Sequence, residues 1–322
     1  MEPIDLAARL DDTHRAVLEM IPPDLLDLSD IDRARVGIEG LLAALPSPEP
    51  PAGLATEDVM VPGLDGDPEV LVRLYRPAGL AADAPAIYWI HGGGMVLGSM
   101  TMDDARCSRW ADQLGCVVAS VEYRLAPEHP FPAPMNDCYA GLSWLAANAS
   151  ELGIDPARIA IGGASAGGGL AAGLAIMAKD SGGPSVCFQL LVFPMLDHTN
   201  TEPSTHAIVD PRTWNREANA AGWAAYLGDA DRSSVSPLAS PAMAEVDGLV
   251  GLPPAYINVG EFDLFLDEDM SYARALMTAG VPVDLHVYPG AFHGSQSFAV
   301  DHPTSIRWNA DEDAALARAF AG

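Results

Sequence analysis

Residues 158–168, Arg-Ile-Ala-Ile-Gly-Gly-Ala-Ser-Ala-Gly-Gly, constrain the fold of this chain more than any other segment. The short apolar run reads as a buried strand, the glycines as a sharp turn, and the small residues after Ser165 as the start of a helix. A strand that turns so abruptly into a helix holds its tip residue in a strained backbone shape, and side chains at the flanking positions would collide with the neighbouring strand and helix. Ser165 sits at that tip, inside Gly163-Ala164-Ser165-Ala166-Gly167, a G-x-S-x-G pattern. The strain lifts its hydroxyl above the sheet, where the N-terminal N–H groups of the following helix face whatever forms there. In a chain with 30 glycines the pentapeptide alone also fits a small-residue helix start packed beneath a sheet, so other segments have to decide.

Three of them do. His91-Gly92-Gly93-Gly94 follows the apolar strand candidate Ala86–Ile90. A tetrahedral oxyanion, the intermediate of acyl transfer, needs preset backbone donors, each contributing about 3 kcal/mol. The N–H groups of Gly92, Gly93 and Ala166 are the expected oxyanion hole. A dinucleotide loop would need G-x-G-x-x-G opening a helix, whereas this loop runs on into Met95-Val96-Leu97-Gly98. Asp263 follows the strand candidate Ala255–Val259 in Gly260-Glu261-Phe262-Asp263, where open parallel sheets place their sites. Asp267 and Glu268 fit better as acids at a helix start, favoured by the dipole. Asp197, after the strand candidate Phe188–Phe193, is a second candidate acid. His293 lies in the loop Pro289-Gly290-Ala291-Phe292-His293-Gly294, after the strand candidate Val283–Tyr288. An imidazole there can take the Ser165 proton and return it to a leaving group, so activity should fall as acid protonates it. The order Ser165, Asp263, His293 is that of α/β-hydrolases. Of the other histidines, His91 is expected to brace its glycine loop and His286 to lie in a strand. His129 should make structural hydrogen bonds in a proline-rich loop. His14, His198, His206 and His302 are expected at the surface or at caps.

These segments resemble the hormone-sensitive-lipase family of esterases, bacterial family IV, over nearly everything from Glu57 to the C-terminus. The matching stretches are His91–Gly94, Tyr123-Arg124-Leu125-Ala126-Pro127-Glu128-His129-Pro130-Phe131-Pro132-Ala133, the Ser165 turn, Phe193-Pro194-Met195-Leu196-Asp197, Gly260–Asp263 and Tyr288–His293. The resemblance implies an α/β-hydrolase fold and carboxylic-ester hydrolysis by a Ser165–Asp263–His293 triad through an acyl-enzyme, with no cofactor and no metal. It favours short- to medium-chain acyl esters over long triglycerides, and it allows a homodimer through an edge strand. Two positions depart from the family pattern: Ala164 stands where many members carry Asp, and Ser295 where many carry Phe. Neither supplies a triad atom; both bear on the contacts around the triad and on pocket shape.

The rest of the chain fits this reading. Residues 5–20 read as an amphipathic helix and Ser29–Leu45 as a second, before the helix-breaking linker Pro46–Pro51. Glu57–Val61 and Val70–Arg76 read as antiparallel edge strands joined by Gly63–Asp67. From Pro85 onward strands alternate with helices, among them Cys138–Ala147 and Asp267–Ala279, which argues a mostly parallel sheet covered on both faces. His198–Asp231 interrupts that alternation with a polar loop and a helical stretch, Thr213–Leu227. The expected organisation is therefore an N-terminal helical cap segment, 1–50, and a catalytic domain, 51–322, with 198–231 as a second cap segment. A cap would bury the acyl chain and exclude water. Met95, Trp214, Trp223 and Tyr226 are candidate pocket residues, although the aromatics fit equally as packing of the cap onto the core.

The start of the chain lacks a basic region followed by an apolar stretch, and no run of about 18 apolar residues appears. A cytoplasmic protein without integral membrane association is expected. Cys107, Cys116, Cys138 and Cys187 lack metal-ligand spacing and are expected as free thiols partly in the core. The formal charge of −27, with Lys179 the one lysine, should repel nucleic acid and anionic membranes. The acidity fits either salt tolerance or a compositional bias from lysine to arginine. The expected partner is a small-molecule ester. Amide, carbamate or lactone hydrolysis on the same triad is the alternative chemistry. A receptor on the same scaffold is the alternative class, but the plant gibberellin receptors that resemble this family lack the histidine that His293 supplies here.

Overall fold

The computed structural model describes residues 2–44 and 49–321. Eight strands form one sheet in the order β1-β2-β4-β3-β5-β6-β7-β8. They are β1 (Leu54–Val61), β2 (Val70–Pro77), β3 (Ala84–Ile90), β4 (Val117–Glu122), β5 (Ile154–Ala164), β6 (Phe188–Val192), β7 (Ala255–Phe262) and β8 (Val283–Phe292). β2 runs antiparallel to both β1 and β4, and all the other neighbours are parallel. Along β3, Tyr88 and Ile90 enter one apolar cluster while Ile87 and Trp89 enter the other. Side chains alternate across a strand, so an unbroken apolar run means a strand buried on both faces. This is the doubly covered sheet of the α/β-hydrolase fold expected from the alternation of strands and helices. Among the described residues no helix is long and apolar enough to cross a membrane.

Several expectations need correction. The amphipathic stretch 5–20 is two helices, Leu6–Arg9 and Asp12–Met20. Leu10 is extended, and the Asp11 carboxylate accepts from the N–H groups of Thr13 and His14, starting a new helix instead of continuing the old one. The second helix spans Ile31–Ala44; Leu45 and Pro46–Pro48 of the expected linker lie outside the described residues. The helix expected over Thr213–Leu227 begins at Arg216, because the Asn215 side chain accepts from Glu217 N–H and Ala218 N–H as its cap. β2 lies inside the sheet, leaving β1 and β8 at its edges. β8 runs on through Pro289–Phe292, so the expected loop shrinks to the turn after it.

Two histidines expected at the surface or at caps form a bracket with the exposed Asp11; His302, half-buried, does stand at a helix start, just before Pro303. His14 is fully buried, and its Nδ1 lies 2.7 Å from Asp11 Oδ2. His302 Nε2 lies 3.3 Å from the same oxygen. The Thr304 N–H donates to His302 Nδ1, which leaves the ring proton on Nε2, facing the Asp11 carboxylate as a donor. The bracket ties the helix Asp12–Met20 to the turn before the helix Pro303–Ala321, and the His14 ring meets Phe292, the residue before His293, edge to face. His129 is exposed; its backbone N–H, not its ring, is bonded, to Leu125 C=O. The four cysteines are free, with Cys187 half-buried and the others buried.

The N-terminal segment and the segment 198–231 meet at a backbone hydrogen bond from Ile4 N–H to Ala207 C=O. Arg35, on the helix Ile31–Ala44, reaches into the body of the protein. Its guanidinium donates to the carbonyls of Val96 and Ala126 and pairs with Glu128.

Candidate active site

The parallel strands all end on the same side of the sheet, and β3, β5, β7 and β8 each hand over there to a residue singled out in the sequence. Ser165 follows β5 with φ 57° and ψ −120°, a left-handed conformation costly for any residue with a Cβ. The distortion is held by its surroundings. Ser165 N–H donates to Val192 C=O at 2.8 Å, and Ser165 C=O accepts from Met195 N–H and Gly169 N–H. Close approach explains the neighbouring glycine: a methyl on Gly167 would overlap the carbonyl oxygens of Ile90 and His91, so this helix start can sit directly on the end of β3.

His293 stands between serine and acid. Its Nε2 is 3.0 Å from Ser165 Oγ, and its Nδ1 is 2.8 Å from Asp263 Oδ2. A carboxylate only accepts, so Nδ1 donates to Asp263 and Nε2 is left to accept the serine hydroxyl. Asp263 is almost wholly buried, and its second oxygen accepts from Phe265 N–H. The rings of Phe193 and Phe265 press edge-on against the imidazole, with centroids 4.6 Å and 5.2 Å away. The other candidate acid, Asp197, accepts from Thr199 N–H instead. Glu268 was expected as an acid at a helix start. It is buried, and it accepts from Leu196 N–H and Asp197 N–H, pinning the segment that carries Phe193.

The glycine loop lies against the serine turn. A Cβ on Gly92 would stand 2.8 Å from Ala164 O and 3.4 Å from Ser165 Cβ. The Gly92 carbonyl accepts from His91 Nδ1 at 2.8 Å, while Gly93 C=O accepts from Val96 N–H and Leu97 N–H. Among the described residues no backbone carbonyl accepts the N–H of Gly92, Gly93 or Ala166. Burial lowers the pKa of the His91 imidazole, its ring stacks on Tyr123 at 4.2 Å, and Tyr123 Oη donates to His91 C=O. His91 therefore braces the loop.

The candidate pocket residues divide. The end of the Trp214 indole lies on Gly94, and a methyl there would overlap its Cη2 and Cζ2 atoms. Met95 is buried with φ 61°, beneath the loop and toward Gly169. Trp223 and Tyr226 sit side by side, with His198 against the first ring and Phe131 against the second. Sequence reasoning missed Phe193, Phe265 and Glu268. The two phenylalanines sit in or beside the quoted motifs, and that adjacency was an available signal. Nothing local marked Glu268 as inward-facing.

Residues 87–297 match the model of a family described as the alpha/beta hydrolase fold. Carboxylesterase NlhH of Mycobacterium tuberculosis is 35% identical over 319 residues, covering 99% of each chain. Among solved structures, a bacterial heroin esterase superposes with a TM-score of 0.92 at 42% identity, covering 97% of this chain and 98% of its own. Esterase LipW from Mycobacterium marinum superposes with a TM-score of 0.82 at 36% identity, covering 100% and 99%.

Proposed function

This chain belongs to the hormone-sensitive-lipase group of the alpha/beta hydrolase family, the serine carboxylic-ester hydrolases, and from that premise we propose that it cleaves short- to medium-chain acyl esters with Ser165, His293 and Asp263. The observation that carries this reading is the continuous contact from Asp263 through His293 to Ser165, with the serine in its strained turn.

In the first half-reaction His293 Nε2 takes the hydroxyl proton as Ser165 Oγ attacks the ester carbonyl. Asp263 keeps the proton on Nδ1, so Nε2 is free to act as base, and it stabilises the imidazolium that forms. The N–H groups of Gly92, Gly93 and Ala166 receive the oxyanion. The alcohol leaves with the proton from Nε2, and Ser165 remains acylated. Water then repeats the steps and releases the acid. The segments 1–50 and 198–231 together cap the site; the Ile4–Ala207 bond and the grip of Arg35 on the Val96 and Ala126 carbonyls support that assignment.

The test is the initial rate on p-nitrophenyl esters from acetyl to palmitoyl, with wild type beside Ser165→Ala. Turnover should peak at short or medium chains, and the variant should lose at least about 10³-fold in kcat while remaining folded. A variant near wild type would remove Ser165 from the mechanism. A maximum at palmitoyl would refute the chain-length assignment.

A further inference from the structure

Resting on the esterase reading above, we propose that Trp214 sets the size limit of the ester this site admits, and that Asn219 and Asn200 are positioning residues that lock its indole in place. Two backbone elements meet at this ring. Gly94, with φ 62°, belongs to the glycine loop whose Gly92 touches the serine turn. Its bare Cα is what lets the indole lie on the loop. Gly222, on the helix Arg216–Leu227, closes the contact from the other side: a Cβ there would stand 3.1 Å from Gly94 O and 3.3 Å from Trp214 Cζ2. The ring is thus wedged between that helix and the glycine loop, whose Gly92 lies against the serine turn.

A chain of amides fixes the orientation. Trp214 Nε1–H donates to Asn219 Oδ1 at 3.1 Å, Asn219 Nδ2 donates to Asn200 Oδ1 at 3.0 Å, and Asn200 Nδ2 donates to Arg216 C=O at 3.0 Å. Every donor in this relay points the same way. Trp214, Asn219 and Asn200 are all buried, so swinging the indole aside would strand a buried carbonyl and a buried N–H without partners. A buried indole N–H usually finds one partner; here the pairing runs on through two buried amides to the Arg216 carbonyl. The ring is held by a polar chain in a single pose, as a wall of fixed shape must be.

The experiment measures kcat/KM on two ester series. One varies the acyl group from acetyl to octanoyl on p-nitrophenol, and the other varies the alcohol from methyl to benzyl on acetate. Trp214→Ala should raise the ratio of bulky to small ester at least about tenfold in one series. Asn219→Leu, which keeps the ring but cuts the relay, should move the same series in the same direction by less. Gly222→Ala should move it the opposite way, because the added methyl crowds the indole and Gly94 O from the helix side; this helix-favouring change decides the matter if Trp214→Ala does not fold. An unmoved ratio in folded variants, or an equal loss on every ester, overturns the role of Trp214. A wild type that hydrolyses no ester at all overturns the esterase reading instead, so the two failures are distinguishable.

Discussion

Asp269 is a residue whose charge the fold tolerates poorly. It is fully buried, and neither carboxylate oxygen has a hydrogen-bond partner among the described residues. Burial, and then the nearby Glu268 and Asp263, push its carboxyl well above the usual range. The folded state therefore keeps a proton that the unfolded chain gives up. Its contribution to stability is complete below the ordinary carboxylate pKa and is lost as pH rises above it. Asp269→Asn cannot ionise in either state. Its unfolding free energy in urea should fall less between about pH 5 and about pH 8 than that of the wild type; parallel pH slopes would show that Asp269 is ionised in the fold. The inward turn of Glu268 and Asp269 was not legible in the sequence. Acids in a helix's first turn look alike whether they face water or the core, and only the packing of that helix against β7 and β8 chose. Ser165, Asp263 and His293 were legible because each lies at a strand end inside a local pattern.

At the scale of elements, the helix Ala166–Asp180 bears directly on the sheet. Its buried residues include Gly167, Gly168, Gly169 and Gly173, and Gly167 rests on the carbonyls that end β3. Gly167→Ala should raise helix propensity by about 1 kcal/mol yet destabilise the protein by roughly 1–3 kcal/mol net, since backbone has to move to admit the methyl. Thermal unfolding checks the sign, and a higher Tm would mean that helix and sheet can part at no cost. The doubly buried β3 was readable from its unbroken apolar run. The break at Leu10–Asp11 was not, because an Asp inside an amphipathic pattern looks like an exposed helical position until it is seen capping Thr13 and His14. The reach of β8 through Pro289 and Gly290 also escaped the sequence. Those residues signal a turn, but β8 is an edge strand, where a proline's missing N–H costs no ladder bond.

For the whole molecule, the governing quantity is a charge of −27 from 44 acids against 17 lysines and arginines. Many of the cations are already committed to partners. Arg73 pairs with Asp58 and Asp104, Arg124 with Asp67 and Asp137, and Arg109 with Asp313. The unpaired excess is negative and repels itself across the surface. Raising NaCl from about 10 mM to about 0.5 M shortens the Debye length from roughly 30 Å to a few Å, so Tm should rise over that range. A steady fall would mean that screening of the arginine pairs outweighs relief of the repulsion, and it would remove salt tolerance as an account of the composition.

The sequence by itself determined the order of the elements, the serine turn, the glycine loop and the acid and histidine at their strand ends, because each depends on residues a few positions apart. Tertiary structure alone decided what depends on distant contacts. It brought Asp263 and His293 to Ser165 from different strands, buried Glu268, Asp269 and His14, and laid Trp214 on Gly94. Those outcomes follow from how helices and sheet fill space together, and no local pattern of residue types carries that information.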